Sequence, residues 1–557
     1  MPRVIPTGEQ VFATLREDNL FYIDKTRFIQ DWWERKDRVT LITRPRRFGK
    51  TLMLDTVETF FSPQFKGRSD LFEGLEIWNN EKFRKLQGKI PVIFISFSGA
   101  DCSNYDEMNS EIKNILVDLY NSFRPILNFE LFYDIEKQQF ASVRSDMSDA
   151  TARRAVHALS QYLARQFGEL PIVLLDEYDA PLQAAWIHGY WDKAVDFLRG
   201  LFNLTFKANK SLGRGLMTGV TRVSKESLFS GVNNLKVVTV TSKLYSTCFG
   251  FTENEVFLAM DEYGLKEKDK VKRWYDGFIF GDIKDIYNPW SIIGYLSEHS
   301  FETYWAQTSS NALVGQLIAN SSVKIKEETK NLLQGKSITV NFDEQIVFSQ
   351  LNKKSGAIWS LLMAAGYVKP LRFNREIGEY EIALTNYEVQ ILIDTIISEW
   401  FNNDNSDGEE FRKALLKNDI ETMNKTMADI AENTFSFFDT GKNEPERFYH
   451  AFVLGMIVDF RGRYEIVSNR ESGLGRCDVM LIPLRDSDHG IVIEFKTRDA
   501  KKEKYLKTTC NNALKQIKKM RYASTLQSRG IAKDDIYFYG FGFDGKEVMI
   551  AGGINTD

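Results

Sequence analysis

Asp478, Glu494 and Lys496 are three side chains near the C-terminal end whose types and spacing could do chemistry together. Cutting a phosphodiester needs an activated water and a counter to the charge that builds in the transition state. Carboxylates holding Mg²⁺ or Mn²⁺ supply both, and a lysine can position or deprotonate the water. Gly475-Arg-Cys-Asp-Val-Met-Leu-Ile482 and Ile491-Val-Ile-Glu-Phe-Lys496 read as two strands of a hairpin, with Asp486–Gly490 as the turn. Alternation along the second strand puts Glu494 and Lys496 on one face and Phe495 on the other. Taken alone, the spacing also fits a surface hairpin with a cross-strand ion pair.

A second set lies in the N-terminal half. Arg44-Pro-Arg-Arg-Phe-Gly-Lys-Thr51 follows the apolar run Val39–Thr43 and precedes a helical pattern over Leu52–Phe61. Backbone N–H groups and a helix N-terminus at such a junction favour phosphate. Arg46, Arg47, Phe48, Gly49, Lys50 and Thr51 are therefore expected around a nucleotide, with Lys50 on the outer phosphates and the Thr51 hydroxyl on Mg²⁺. The generic loop has Gly six residues before its lysine, where this chain has Arg44, so the segment alone also fits a basic turn capped by Gly49. Ile172-Val-Leu-Leu-Asp-Glu177 strengthens the nucleotide reading. It is a buried-strand pattern that ends in Asp176, for the magnesium shell, and Glu177, to polarise an attacking water. Thr218-Gly-Val-Thr-Arg222 follows a further strand and either brings Thr221 or Arg222 toward the γ-phosphate or is simply a polar strand end.

The elements that must hold these groups read as α/β. Strand patterns at Val39–Thr43, Pro91–Phe97, Ile172–Leu175, Gly215–Gly219 and Val237–Val240 alternate with helical stretches such as Arg153–Gln166 and Trp191–Lys207. That alternation predicts a wound parallel sheet. From Glu253 to Trp400 the pattern is mainly helical, with turns at Asp276-Gly277 and Asn288-Pro289. Phe401–Glu410 is polar and reads as a linker. A second α/β segment follows: a helix over 446–460, strands near Tyr464–Ser468, Asp478–Ile482 and Ile491–Lys496, a helix near Asn511–Tyr522 and a strand near Ile536–Gly540.

Composition bounds the rest. The 557 residues suggest about three to four domains. With 43% hydrophobic and 13% aromatic residues, a disordered or fibrous chain is excluded. Lys plus Arg number 72 and Asp plus Glu 76, a net charge of −4, which excludes a uniformly basic coat but not a local basic groove. The four cysteines, Cys102, Cys248, Cys477 and Cys510, form no C-x-x-C, and the five histidines show no zinc spacing. A disulfide scaffold and a zinc finger are therefore not expected, and a reducing compartment is. Met1–Gln10 has no signal-like apolar core, and no apolar run approaches the roughly 18 residues that span a bilayer. A cytoplasmic protein with no membrane partner is expected.

Several motifs together resemble a family of prokaryotic AAA-ATPase-like proteins: Tyr22-Ile-Asp-Lys-Thr26, Thr43-Arg-Pro-Arg-Arg-Phe-Gly-Lys-Thr51, Leu175-Asp-Glu-Tyr-Asp-Ala-Pro181 and Gly219-Val-Thr-Arg-Val-Ser-Lys-Glu-Ser227. Trp274-Tyr-Asp-Gly-Phe278 and Tyr287-Asn-Pro-Trp-Ser291 resemble its middle region. The family loop also carries Arg-Pro-Arg-Arg-Phe-Gly-Lys, and its ATPase-like half is commonly joined to a nuclease-like domain. The C-terminal hairpin resembles the PD-(D/E)XK nuclease superfamily, with Asp478, Glu494 and Lys496 at the matching positions. That resemblance implies an upstream acid at Glu446 and a supporting polar residue at Gln516.

The expected fold class is α/β. A P-loop NTPase-like parallel-sheet domain spans 1–252 and a mainly helical middle region 253–400. A linker with connecting helices covers 401–435, and a restriction-endonuclease-like domain 436–557. The expected cofactors are ATP and Mg²⁺ or Mn²⁺. The expected partner is nucleic acid, DNA ahead of RNA, with self-association left open. The expected function is nucleotide-gated cleavage, by analogy in defence against foreign DNA. The rivals are a nucleotide switch whose nuclease-like domain binds without cutting, and an ATP-driven remodeller with a structural C-terminus. Lys496–Arg521 carries ten basic and two acidic residues, which suits a phosphate track or a solvated helix face. Tyr505 and Tyr522 could stack on bases or pack on the sheet. His450 reads as a core histidine and Cys477 as a strand residue.

Overall fold

The computed structural model describes residues 2–554 except 224–227, 230–233, 306–316, 319–320, 322, 334, 343–354, 375–377, 403–405, 436–452, 454–455, 458–459, 461, 473–474, 486 and 546. The chain divides into two compact units, Met1–Leu317 with Glu328–Ile391, and Ile318–Glu327 with Leu392–Asp557. No helix among the described residues is long and apolar enough to cross a membrane.

The first unit is built on β1 (Val39–Thr43), β2 (Val92–Ser96), β3 (Ile172–Asp176), β4 (Arg214–Gly219) and β5 (Leu235–Val238). These form one parallel sheet in the order β2-β3-β4-β1-β5. β1 and β3 are buried at every position, as apolar runs in a parallel sheet covered on both faces must be. The register pairs Thr43 with Gly219 and Leu175 with Met217. The carboxyl ends of β1, β3 and β4 thus open on one edge, where sheets of this kind place ligands. Helix α1 (Lys50–Phe61) packs Leu54, Val57, Phe60 and Phe61 onto Ile42, Leu174 and Leu216 of the sheet. The helix expected over Trp191–Lys207 is α-helical to Phe202 and ends in a π-helical turn, Asn203–Lys207.

Downstream of the sheet the chain is mainly helical, with two small antiparallel sheets that the sequence pattern did not reveal. One joins β6 (Phe251–Thr252), β7 (Phe278–Phe280) and β8 (Ile283–Tyr287), and the other β9 (Ile338–Asn341), β10 (Val368–Asn374) and β11 (Glu379–Leu384). Most of these strands are too short to show a period, and the outer part of β10 is exposed. At Asn288-Pro289 the expected turn is a helix start. Asn288 caps α2 (Pro289–Glu298), its Oδ1 accepting from Trp290 N at 2.8 Å and Ser291 N at 3.4 Å.

The linker reading of Phe401–Glu410 is corrected by the structure over 406–410, while 403–405 lie outside the described residues. Residues 406–410 open α3 (Ser406–Lys417), which is followed by α4 (Ile420–Phe435). Phe411, Leu415, Met423 and Met427 of these helices are buried in the core of the second unit. A polar N-terminal turn preceding one apolar stripe looked like a linker because only the stripe packs.

The second unit is a five-stranded mixed sheet, β12 (Tyr464–Ser472), β13 (Gly475–Pro483), β14 (Gly490–Thr497), β15 (Ile536–Asp544) and β16 (Glu547–Ile554), in sequential order. Only β14 and β15 run parallel, and α5 (Leu506–Lys519) makes the crossover between them. α5 lies close against β15: a Cβ at Gly540 would stand 2.4 Å from the Cys510 carbonyl oxygen. Edge strand β16, partly exposed and with only the short apolar run Val548–Ala551, was not expected from sequence. Asn424 of α4 exchanges hydrogen bonds with the Ile550 backbone at 2.8 and 2.9 Å and ties β16 in place. Of the helix expected over 446–460, Val453, Met456 and Ile457 are helical and buried, while Glu446 and His450 lie outside the described residues.

One half-buried acid on α1 makes stability depend on pH. Burial, and then the Asp55 carboxylate, push the Glu58 carboxyl from 4.5 up to about 7. The stability gained by holding that proton is complete below pH 4.5 and is lost as pH rises through 7. Glu58→Gln should melt at the wild-type temperature at pH 5 and about 2–4 °C above it at pH 8, as read by calorimetry.

Candidate functional site

The loop after β1 is anchored by a buried cation where the generic pattern has glycine. Arg44 is fully buried. Its guanidinium donates to the carbonyl oxygens of Thr43 at 2.9 Å, Thr239 at 2.8 Å, and Leu244 and Tyr245 at 3.4 Å. It also lies 4.6 Å over the Phe280 ring, and burial lowers its pKa to about 10. The loop then turns through left-handed backbone at Arg47 and at Gly49, which precedes α1. Lys50 is buried and its ammonium donates to the carbonyls of Arg44 at 3.1 Å and Pro45 at 2.8 Å. Burial lowers the Lys50 pKa, while Asp176, Glu177 and Asp179 act the other way.

Asp176 ends β3 and takes donors from three elements. Thr51 Oγ1 donates to one oxygen at 2.6 Å; Thr218 Oγ1 and the Glu177 N–H (3.0 Å) donate to the other. Glu177 itself is held in left-handed backbone, and burial and then Asp176 raise its carboxyl above the usual range. Sequence reasoning did not single out Tyr178 and Asp179, although both stand in the family motif. Asp179 accepts from the Thr221 N–H at 2.7 Å, the Thr221 hydroxyl at 2.6 Å and the Val220 N–H at 3.2 Å. The Tyr178 hydroxyl donates to the Thr221 carbonyl at 2.7 Å. These bonds lock the end of β3 to the end of β4.

A cavity of about 770 Å³ opens over this edge, within the range of small-molecule sites. Its wall includes Arg46, Arg47, Phe48, Gly49, Lys50, Thr51, Glu177 and Asp179. Arg222, one residue past Thr221, is not part of that wall. The wall fits a magnesium nucleotide: the cations Arg46, Arg47 and Lys50, a helix N-terminus and the Thr51 hydroxyl, which is hydrogen-bonded to the Asp176 carboxylate behind it, a second hard oxygen donor.

In the second unit, β13 and β14 pair Val479 with Ile493 and Met480 with Val492, a register that brings Asp478 toward Glu494. Asp478 Oδ2 accepts the Phe495 N–H at 2.9 Å. Glu494 is 2% exposed, and one of its oxygens accepts from the Gln516 side-chain amide of α5. Lys496 follows two residues on along β14, half-buried. Asp478, Glu494, Lys496 and Gln516 are thus brought to one end of the β13–β14 pair. The two carboxylates fit a hard divalent ion. Burial, then Glu494 and Asp478, push the Cys477 thiol far above its usual range, so it is an inert neighbour. Tyr522 is buried against the sheet rather than offered to a base, whereas Tyr505 is exposed.

Glu253, Asp276 and Asp285 form a further acidic group, their ligand atoms within 4.8 Å of one another. The Lys272 ammonium pairs with Glu253 and lies 3.4 Å from Asp285 and 4.0 Å from Asp276, supplying the countercharge itself. Burial, then the Asp285 hydrogen bond, raise Asp276 to about 7.

Comparison with known proteins matches two segments of the chain to families. Residues 6–229 match the family described as "Predicted AAA-ATPase", and residues 444–552 match the PD-(D/E)XK nuclease superfamily. The chain therefore carries an AAA-ATPase-like domain on its N-terminal side and a PD-(D/E)XK nuclease superfamily domain on its C-terminal side. It is also similar to an "Uncharacterized protein in vnfD 5'region" of Azotobacter chroococcum mcd 1. The two are 29% identical over 323 residues, which cover 56% of this chain and 56% of that protein.

The anchor reading of Arg44 is checked by Arg44→Met. Methionine keeps the packing but removes the guanidinium bonds to the Thr43 and Thr239 carbonyls, the latter keeping only the Ser242 N–H. The unfolding free energy in urea should fall by about 2–4 kcal/mol.

Proposed function

We propose that the chain binds MgATP at the edge of the β1–β4 sheet and cleaves nucleic acid, DNA ahead of RNA, at the β13–β14 site. The observation that carries the nuclease reading is the placement of Asp478 and Glu494 on neighbouring strands, with Lys496 on the second and Gln516 seated on Glu494. A divalent ion held at each site would offset phosphate charge and acidify a bound water. Asp478 and Glu494 would hold the nuclease ion, and the Gln516 amide fixes the orientation of Glu494. Lys496 orients or deprotonates the attacking water. At the nucleotide site Lys50, Arg46 and Arg47 face the phosphates, and Thr51 and Asp176 hold the ion. Glu177, its carboxyl raised by burial and then by Asp176, orients the water at the γ-phosphate. Defence against foreign DNA is a setting that would use such a pairing.

The exposed face of α5 supports the substrate class. Lys507, Asn511, Lys515 and Lys518 are exposed and fall on one helical stripe, free of acids, on the helix that carries Gln516. Such a stripe suits a phosphate backbone.

Cleavage of plasmid DNA with Mg²⁺ or Mn²⁺, with and without ATP, tests the reading. Asp478→Asn and Lys496→Ala should each lose at least about 100-fold in rate, and Lys50→Ala should lose only the effect of ATP. Equal cutting by wild type and Asp478→Asn would reject the site, and binding without cutting would favour the switch. In a salt titration of DNA binding, Lys507→Ala combined with Lys515→Ala should lower the slope of log K against log salt by about 2, whatever the DNA sequence.

A further inference from the structure

Four successive residues of the phosphate loop are held from outside the parallel sheet, by the region that follows it. The Pro45 ring packs on Gly366, where a Cβ would come within 3.0 Å. The Arg46 carbonyl accepts from the Asn288 side-chain amide at 3.3 Å and from the Trp305 indole N–H at 3.2 Å. The Arg47 guanidinium lies 4.3 Å over the Trp290 ring. Phe48 is wedged between Phe278 at 4.8 Å and Phe280 at 5.3 Å.

The contact at Arg46 bears on ligand binding. In a trans peptide the C=O and the following N–H point in opposite directions. Two donors that fix the Arg46 carbonyl therefore also fix the Arg47 N–H, which is turned away from them in a residue that lines the cavity. Both donors are themselves held. Asn288 is oriented by capping α2, which spends its oxygen on the helix and leaves its amide for Arg46. Trp305 is oriented through its own backbone N–H, which donates to Glu388 Oε1 at 2.6 Å. The other oxygen of Glu388, a carboxylate 1% exposed, accepts from Ser291 Oγ at 2.8 Å. One buried acid thus joins the two arms of the clamp.

We propose that Asn288 and Trp305 are positioning residues for polyphosphate binding: they set the Arg46–Arg47 peptide so that its N–H faces the phosphates. The inference rests on the MgATP reading of the cavity. By linkage, nucleotide held by that N–H stabilises the clamp as much as the clamp stabilises nucleotide.

Calorimetric titration of the full chain with MgATP, inorganic tripolyphosphate and adenosine tests this. Asn288→Ser keeps a neutral helix cap but cannot reach Arg46, and Trp305→Phe keeps the ring but loses the donor. Each should weaken MgATP and tripolyphosphate by the same factor, about three- to tenfold, and leave adenosine within about twofold. A general loosening of the fold would weaken adenosine as well. Unchanged tripolyphosphate affinity in both variants, or an equal loss for adenosine, overturns the proposal while leaving the nucleotide reading in place. If Trp305→Phe does not fold, Asn288→Ser decides. Wild-type protein that binds neither MgATP nor tripolyphosphate overturns the nucleotide reading and this inference with it.

Discussion

A carboxylate taken out of water must be given donors, and in the first unit that requirement assembles the site. Asp176 sits at the end of a fully buried strand and takes hydrogen bonds from Thr51 after β1, from Thr218 on β4 and from its neighbour Glu177. No one of those elements could satisfy it alone. Only when β3 lies beside β4, and β4 beside β1, do the two hydroxyls arrive together. Sheet order and candidate chemistry are therefore one constraint, because the bonds that make Asp176 tolerable are those that bring it to Thr51.

The same rule operates at the other end of the chain. Glu494 is almost wholly buried within β14, and a donor reaches it from α5, the crossover to β15. The helix can come close because β15 has glycine where it passes: at Gly540 a side chain would collide with the Cys510 carbonyl. A glycine chosen for packing thus decides where Gln516 stands. The helix then has a fixed inner face, with Thr509, Cys510, Ala513 and Ile517 buried, and a fixed outer face of lysines.

The phosphate loop shows what happens when a common turn residue is replaced. Arg44 cannot supply the freedom of glycine, and its charge is buried. It is accommodated by four carbonyl acceptors and an aromatic face, one from its own strand end and the others from 239–245 and β7. The loop is thereby committed to neighbours far along the chain, and the contacts of Pro45, Arg46, Arg47 and Phe48 continue that commitment. A loop of this composition depends on what surrounds it more than a glycine-rich one would.

The sequence carried the parts of the molecule whose physics is local. Buried parallel strands are continuous apolar runs, so β1, β2, β3 and β4 were legible within a residue or two, as were β13 and β14. Lys50, Thr51, Asp176, Asp478, Glu494 and Lys496 could be singled out as candidates because the chemistry proposed for them limits residue type and their strands fix their spacing. What folding alone decided involves partners distant in the chain: Asp179 with Thr221, Gln516 with Glu494, and Asn288 and Trp305 with Arg46. It also decided that the polar stretch at 406–410 begins a packed helix, and that a partly exposed edge strand completes the second sheet. The physical reason is the same in each case. A periodic pattern records which face of an element is buried, whereas a hydrogen bond across 22 to 259 residues of chain exists only once two elements have been placed side by side.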